Sequence, residues 1–491
     1  MINDAFQGFP PLARIRAQVL ADGTAAGALV ATVRERIARF DAGPEGWHSF
    51  LRVNDNAAED AGQFTAPTDR FDAPAFPLAG VPVAVKDNID TVALGCTAGS
   101  VLLENVPVES DAPVITALIR AGAIIIGKTN LSEWANFRSR RSVSGWSSLG
   151  GQTVNPLHPG RTPCGSSSGS ATAVAGGLVP AAIGTETDGS IICPAATQGL
   201  VGFKPTVGRV SQAGIIPISR RQDTAGPIAR TVTDAWILQN ALEHPETATP
   251  DLDPAPLGGA RIGVYPMDAA GRDPHPGVGA LFDESCDALR RAGAVLVDLT
   301  PPEGIDRINS AEQIVLRWEF LTGIEAYLAT RRHSPFRTLQ DLVAANTARS
   351  AETMPFFGHD LWEGIITDLA AGTLDESAYR EACETIDERA GRNGIDRWFR
   401  DDGVNVVIAP ANGPAWTIDT VNGDRYTGSS VPPAAATGYP ALTVPMGTVR
   451  GLPIGMGFYG PADGDEELFS FGLAWEHLFR ERLHRKDSSI R

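Results

Sequence analysis

Lysine is nearly missing from this chain. Of its 41 basic residues only Lys86, Lys128, Lys204 and Lys486 are lysines, and the rest are arginines. Arginine keeps its proton at any ordinary pH, so a reaction that needs a basic amine has few side chains to draw on. Cysteine is scarce as well. The five present, Cys96, Cys164, Cys193, Cys286 and Cys383, are odd in number and never spaced as CxxC. That argues against a disulfide framework and favours free thiols in a reducing compartment. No cluster of His, Cys and carboxylates has zinc-ligand spacing, so no zinc site is expected, and the serine chemistry read below needs neither a metal nor an organic cofactor. Long apolar runs are missing too. Stretches such as Ala123–Ile126 are far too short to span a bilayer, and Met1–Phe6 has no basic flank leading into an apolar core, so no signal peptide is expected. Positive charge is also in deficit, with a net charge of −17 and no dense Lys/Arg cluster. A nucleic-acid binder would carry a basic patch. These absences point to a cytoplasmic protein with no nucleic-acid or membrane partner.

What is present is the composition of an ordinary globular protein, 43% apolar and 20% charged over 491 residues. That length suits two average domains or one large one. Residues 11–41 carry helical periodicity through Leu20, Leu29, Val30, Val33, Ile37 and Phe40. Residues 55–77 are polar and proline-rich, as in a linker. From residue 78, short apolar runs alternate with Gly/Ser/Pro turns: Val81–Val85, Ala123–Ile126, Leu178–Ile183 and Leu200–Phe203. Buried strands joined by loops and helices have this texture. A βαβ-like unit follows, with strands over Arg261–Tyr265 and Val295–Leu299 around a helix over Val278–Ala292. Residues 308–400 read as mainly helical and carry Trp318, Phe320, Tyr327, Phe356, Phe357 and Trp362. Strands then resume at Val404–Ile408, Ala441–Pro445 and Ile454–Tyr459.

Four segments have the look of chemistry. Gly122–Thr129 fits the phosphate-loop pattern GxxxxGK[ST], but three consecutive isoleucines prefer an extended strand to a compact loop, so a buried strand is expected there. Gly165-Ser166-Ser167-Ser168-Gly169-Ser170 could be a flexible link, yet it runs directly into the small-residue stretch Ala171–Gly177, which suits a tightly packed helix after a fixed turn. In Thr185-Glu186-Thr187-Asp188-Gly189-Ser190, Gly189 permits a sharp turn immediately before a serine. Successive amides in such a turn can hold an oxyanion. A serine nucleophile needs a base. Of the eight histidines only His158 lies near these serines, and it sits in a Pro-flanked turn. Lys86 ends the apolar run Gly80–Val85; buried there, it would lose solvation and release its proton more easily.

Lys86 in Val-Ala-Val-Lys-Asp-Asn, the Ser166 segment and the Ser190 segment together resemble the amidase signature family, in order and in the 24-residue interval between the two serines. Gly199–Thr206, Gln222–Pro227 and Gly451–Met456 extend the likeness over most of the chain. Asn130–Phe137 and Gly145–Ser148 are similar to the bacterial peptide amidases of that family. Most members have two glycines before the nucleophile and Ile-Arg after it. Here Asp188-Gly189 and Ile191-Ile192-Cys193 stand instead, which argues against the tRNA-dependent amidotransferase branch.

The resemblance implies a single large α/β domain whose mixed central sheet is covered by helices on both faces. The chain would divide into an N-terminal helical segment and linker (1–77), the signature core (78–245), a βαβ unit with a helical substrate-funnel insertion (246–400), and C-terminal strands and a helix completing the core (401–491). It implies a Ser190–Ser166–Lys86 triad with a cis Gly165–Ser166 bond, an acyl-enzyme, and an oxyanion hole from the backbone of Thr187, Asp188, Gly189 and Ser190. The expected substrate is a peptide amide, aryl amide or carbamate (urethane), held by Trp134, Trp318 or Phe357. The protein would act as a monomer or homodimer.

Overall fold

The computed structural model describes residues 8–65, 76–267, 275–427 and 432–488. The apolar runs of the sequence become strands of one sheet: β1 (Phe50–Val53), β2 (Pro82–Lys86), β3 (Ile124–Thr129), β6 (Ala181–Glu186), β7 (Val201–Lys204), β8 (Thr224–Ala229), β9 (Arg261–Val264), β10 (Val295–Asp298), β11 (Val406–Pro410), β12 (Ala441–Val449) and β13 (Leu452–Tyr459). A two-residue ribbon, β4 (Trp146–Ser147) with β5 (Gly151–Gln152), stands apart. The order across the large sheet is β1-β3-β2-β6-β8-β7-β12-β13-β11-β9-β10. Parallel pairs β3/β2, β2/β6, β11/β9 and β9/β10 flank an antiparallel middle, so the sheet is mixed as expected.

Alternation of side chains explains why helices cover both faces. Val83, Val85, Ile125 and Ile183 join one apolar cluster, while Ala84, Ile124, Ile126 and Ala182 join another. The second cluster also takes in Ala171, Ala173 and Val174 of the helix Ser168–Ala175. The same alternation carries Lys86, two residues beyond Ala84, toward the side where that helix and the preceding serines lie.

The phosphate-loop look-alike is the buried strand β3. Lys128 is fully buried there, paired with Asp87 at 3.3 Å, and its Nζ donates to the carbonyl of Gly95 at 3.0 Å. Residues 11–41 form two helices, Leu12–Ala21 and Thr24–Phe40. The block from 305 to 400 is helical, led by the 26-residue helix Ile305–Thr330. β1 and β8 were not anticipated from sequence. Part of the linker expected over 55–77 falls on residues 66–75, outside the described residues; before it, Ala57–Gly62 is a short helix.

Candidate active site

Three loops at the ends of β2 and β6 meet around Lys86. Its side chain is 0% exposed, with Nζ 2.7 Å from Ser166 Oγ, 2.8 Å from Thr185 Oγ1 and 3.1 Å from Thr185 O. Burial pulls the Lys86 pKa down to about 7, while the charges of Glu186 and Asp223 act to raise it. A neutral amine has two protons to donate and one lone pair. Nζ donates to Thr185 O, Thr185 Oγ1 and Ser166 Oγ, and a lone pair for the Ser166 hydroxyl is available only on the neutral form.

Ser166 opens the turn that leads into the helix Ser168–Ala175, and the Gly165–Ser166 peptide bond is cis. A Cβ at Gly165 would stand 2.2 Å from Ser132 Oγ, so only glycine fits under that hydroxyl. Ser167 fastens this turn to its neighbours. Its Oγ donates to Thr185 O at 3.0 Å, and its amide donates to Ser190 O at 3.1 Å.

The Ser190 loop is curled around a carboxylate. Glu186 Oε2 accepts from the amides of Ile191 at 2.6 Å and Ile192 at 2.9 Å, so the chain folds back immediately after Ser190. Gly189 has φ +76°, a conformation that glycine adopts without steric cost. Among the described residues, the backbone amides of Thr187, Asp188, Gly189 and Ser190 donate no hydrogen bond. Thr187 Oγ1 donates to Asp223 Oδ1 at 2.6 Å, and Asp223 Oδ2 accepts from the amides of Ile218 and Ser219 at 2.7 and 2.9 Å. Burial pushes the Asp223 pKa up to about 6 against those bonds.

Ser166 and Ser190 line one narrow cavity of about 10 Å³, together with Asn88, Ala135, Thr185, Thr187, Ile215 and Asp223. No hydrogen bond joins their two hydroxyls among the described residues. A larger cavity of about 370 Å³ shares Ile215 and Asp223 with it and is walled by Trp318, Glu319, Arg220 and Pro217.

The three residues proposed to bind substrate separate. Trp318 lines the larger cavity, stacked on Tyr379 at 5.9 Å. Trp134 is 2% exposed, packs edge-on against Trp362 at 5.2 Å and belongs to the core; its neighbour Ala135 faces the cavity instead. Phe357 is buried against Trp146 and Arg138. Phe320, Tyr327 and Trp362 are core residues, and Phe356 is on the surface. His158 lies in an exposed turn with Nε2 2.8 Å from Gly451 O, away from both cavities.

The expectation of five free thiols is overturned. Cys164 and Cys193 form a disulfide, with Cα atoms 6.0 Å apart. It links the turn before Ser166 to the segment after Ser190. Only the folded approach of these loops brings the cysteines together, so their spacing gave no sign of it. The reducing compartment argued from cysteine count loses its support here. Cys96 and Cys286 are buried free thiols, and Cys383 is a partly exposed one. Glu186, Thr185, Asn88 and Asp223 lie within the motifs read from sequence but were given no side-chain role. Their partners come from other loops, and only the presence of polar residues beside Lys86 and Ser190 pointed to them.

A large mixed sheet with this buried lysine and paired serine loops defines the amidase class, and the chain belongs to the amidase family, whose model matches residues 28–469. It is a hydrolase acting on the carbon–nitrogen bonds of amides. It is similar to the native peptide amidase from Stenotrophomonas maltophilia, at 40% identity over 96% of this chain and 97% of that one with a TM-score of 0.86. A probable amidase from Arabidopsis thaliana is 34% identical over 87% of this chain and 82% of its own. A glutamyl-tRNA(Gln) amidotransferase subunit from Methanospirillum hungatei is also 34% identical, over 82% of this chain and 93% of its own. Among the described residues no helix is long and apolar enough to cross a membrane, and no group of three or more His, Cys, Asp or Glu could hold a metal ion.

Proposed function

We propose that this chain cleaves carboxamides through an acyl-enzyme on Ser190. Neutral Lys86 takes the proton of Ser166, and Ser166 takes that of Ser190 as its Oγ attacks the carbonyl carbon. The unpaired amides of residues 187–190 donate to the carbonyl oxygen as negative charge builds on it. The same relay returns a proton to the leaving nitrogen, and water then releases the acid. The observation carrying this reading is Lys86 Nζ at 2.7 Å from Ser166 Oγ, buried and with a pKa lowered to about 7, beside the cavity that Ser166 shares with Ser190.

A cavity of about 10 Å³ cannot take an acyl group, so the adjoining 370 Å³ is the place for the bulk of the substrate. Likeness to a peptide amidase favours a peptide amide; aryl amides and carbamates present the same planar group to Ser190. Asp188-Gly189 before the nucleophile, the net charge of −17 and the lack of a basic patch weigh against a role in tRNA-dependent amidotransfer. The test is a panel of peptide amide, aryl amide and carbamate given to wild type and Ser190→Ala, with the released amine measured. One substrate type should be turned over by wild type and none by the variant. Turnover by Ser190→Ala at the wild-type rate would overturn the assignment.

A further inference from the structure

Asn88 carries a buried polar atom that the relay does not use. It stands two residues after Lys86 and is 3% exposed, and it lines the cavity of Ser166 and Ser190. Its Nδ2 donates to Thr185 Oγ1 at 2.9 Å, while its Oδ1 is buried with no hydrogen-bond partner. A buried acceptor left unpaired is costly, and one held in place beside a reaction centre is preorganised for a donor that arrives with the substrate.

We infer that Asn88 Oδ1 accepts the N–H of the scissile amide and so makes this site selective for amides over esters. This rests on the Ser190 reading above. Thr185 Oγ1 fixes the geometry, because it accepts from Lys86 Nζ at 2.8 Å and from Asn88 Nδ2 at 2.9 Å. The base and the proposed N–H acceptor therefore hang from one hydroxyl. The leaving nitrogen must present its lone pair to the relay that protonates it, and its N–H then points elsewhere in the cavity wall. Asn88 is part of that wall. As the nitrogen gains a proton its N–H bonds become more acidic, so the bond to Oδ1 strengthens toward the transition state and contributes to rate. An ester oxygen has no hydrogen to offer and leaves Oδ1 unpaired.

The experiment uses Asn88→Ala and a matched amide and ester of one acyl group. kcat/KM for the amide should fall about ten- to a hundredfold more than that for the ester. Equal losses on both substrates would mean that Asn88 acts only through Thr185 and Lys86, and would overturn the inference. Unchanged amide turnover would overturn it as well. If the alanine variant does not fold, Asn88→Ser is put through the same comparison. Failure of the Ser190 reading is separable, because it would appear as Ser190→Ala retaining turnover of both substrates.

Discussion

Lys86 is the residue on which the proposed chemistry turns, and its titration can be followed. With a pKa of about 7 in the free enzyme, kcat/KM should rise through pH 7 and level off above it. The Asp223 carboxylate raises that pKa, so Asp223→Asn should move the acid limb to lower pH, whatever it costs in maximal rate. An acid limb that stays in place or moves upward would detach it from Lys86. The same burial affects stability. The folded-state pKa lies below the ordinary lysine value, so the unfolded chain holds more protons between about pH 7 and 10.4. The penalty for burying Lys86 is therefore full below pH 7 and vanishes as pH approaches 10.4. Lys86→Met should be inactive and should melt higher than wild type, with the gap widest in acid and closing toward pH 10. A gap that widens toward pH 10 would contradict the buried neutral amine. At this scale the proposed Lys86, Ser166 and Ser190 stood out only together, because the order and spacing of their three segments resemble the amidase signature. The carboxylate of Glu186 was not legible, because what it holds is the amides of Ile191 and Ile192 in a curled loop.

At the scale of elements, the strands announced themselves wherever apolar residues ran together. β8, Thr224–Ala229, did not, because it contains Gly226-Pro227 and a proline cannot donate to a ladder. In the fold Pro227 stands opposite Ile183 of β6, while β8 pairs with β7 only at Ile228 and Ala229. β1 is short, only four residues, and no residue of it is fully buried, so its pattern is faint. The disulfide was invisible for a different reason: two loops 29 residues apart in sequence meet only in the folded chain. Closing a loop of that length should stabilise the fold by about 3–4 kcal/mol. Cys164→Ala/Cys193→Ala should therefore melt at a lower temperature than wild type, and a reductant should lower the wild-type melting temperature without affecting the variant. Equal melting of the two proteins would show that packing alone holds the loops. Because the bond flanks both Ser166 and Ser190, the variant should also lose turnover well below its melting point.

At the scale of the whole molecule, the helical block after residue 305 supplies walls to a sheet-borne centre. Its helical character was legible from residues 308–400, but the face each aromatic takes depends on how the helices pack. Trp318 alone of the six reaches a cavity near Ser190, on the same helix as Glu319, Thr322 and Gly323. Trp318→Ala should raise KM several-fold for bulky substrates and leave kcat within about threefold, as expected for a wall that binds ground and transition states alike. A loss confined to kcat would move Trp318 into the chemistry.

The central claim is that acyl transfer passes through Ser190 with Lys86 as the base. It is tested most directly by acid-quenching the enzyme during turnover of an activated carbamate and mapping the covalent adduct by peptide mass spectrometry. The expected result is one acyl group on the peptide bearing Ser190, formed much more slowly in Lys86→Ala and absent in Ser190→Ala. An adduct on Ser166, or turnover with no adduct on Ser190 when deacylation is slow, would contradict it.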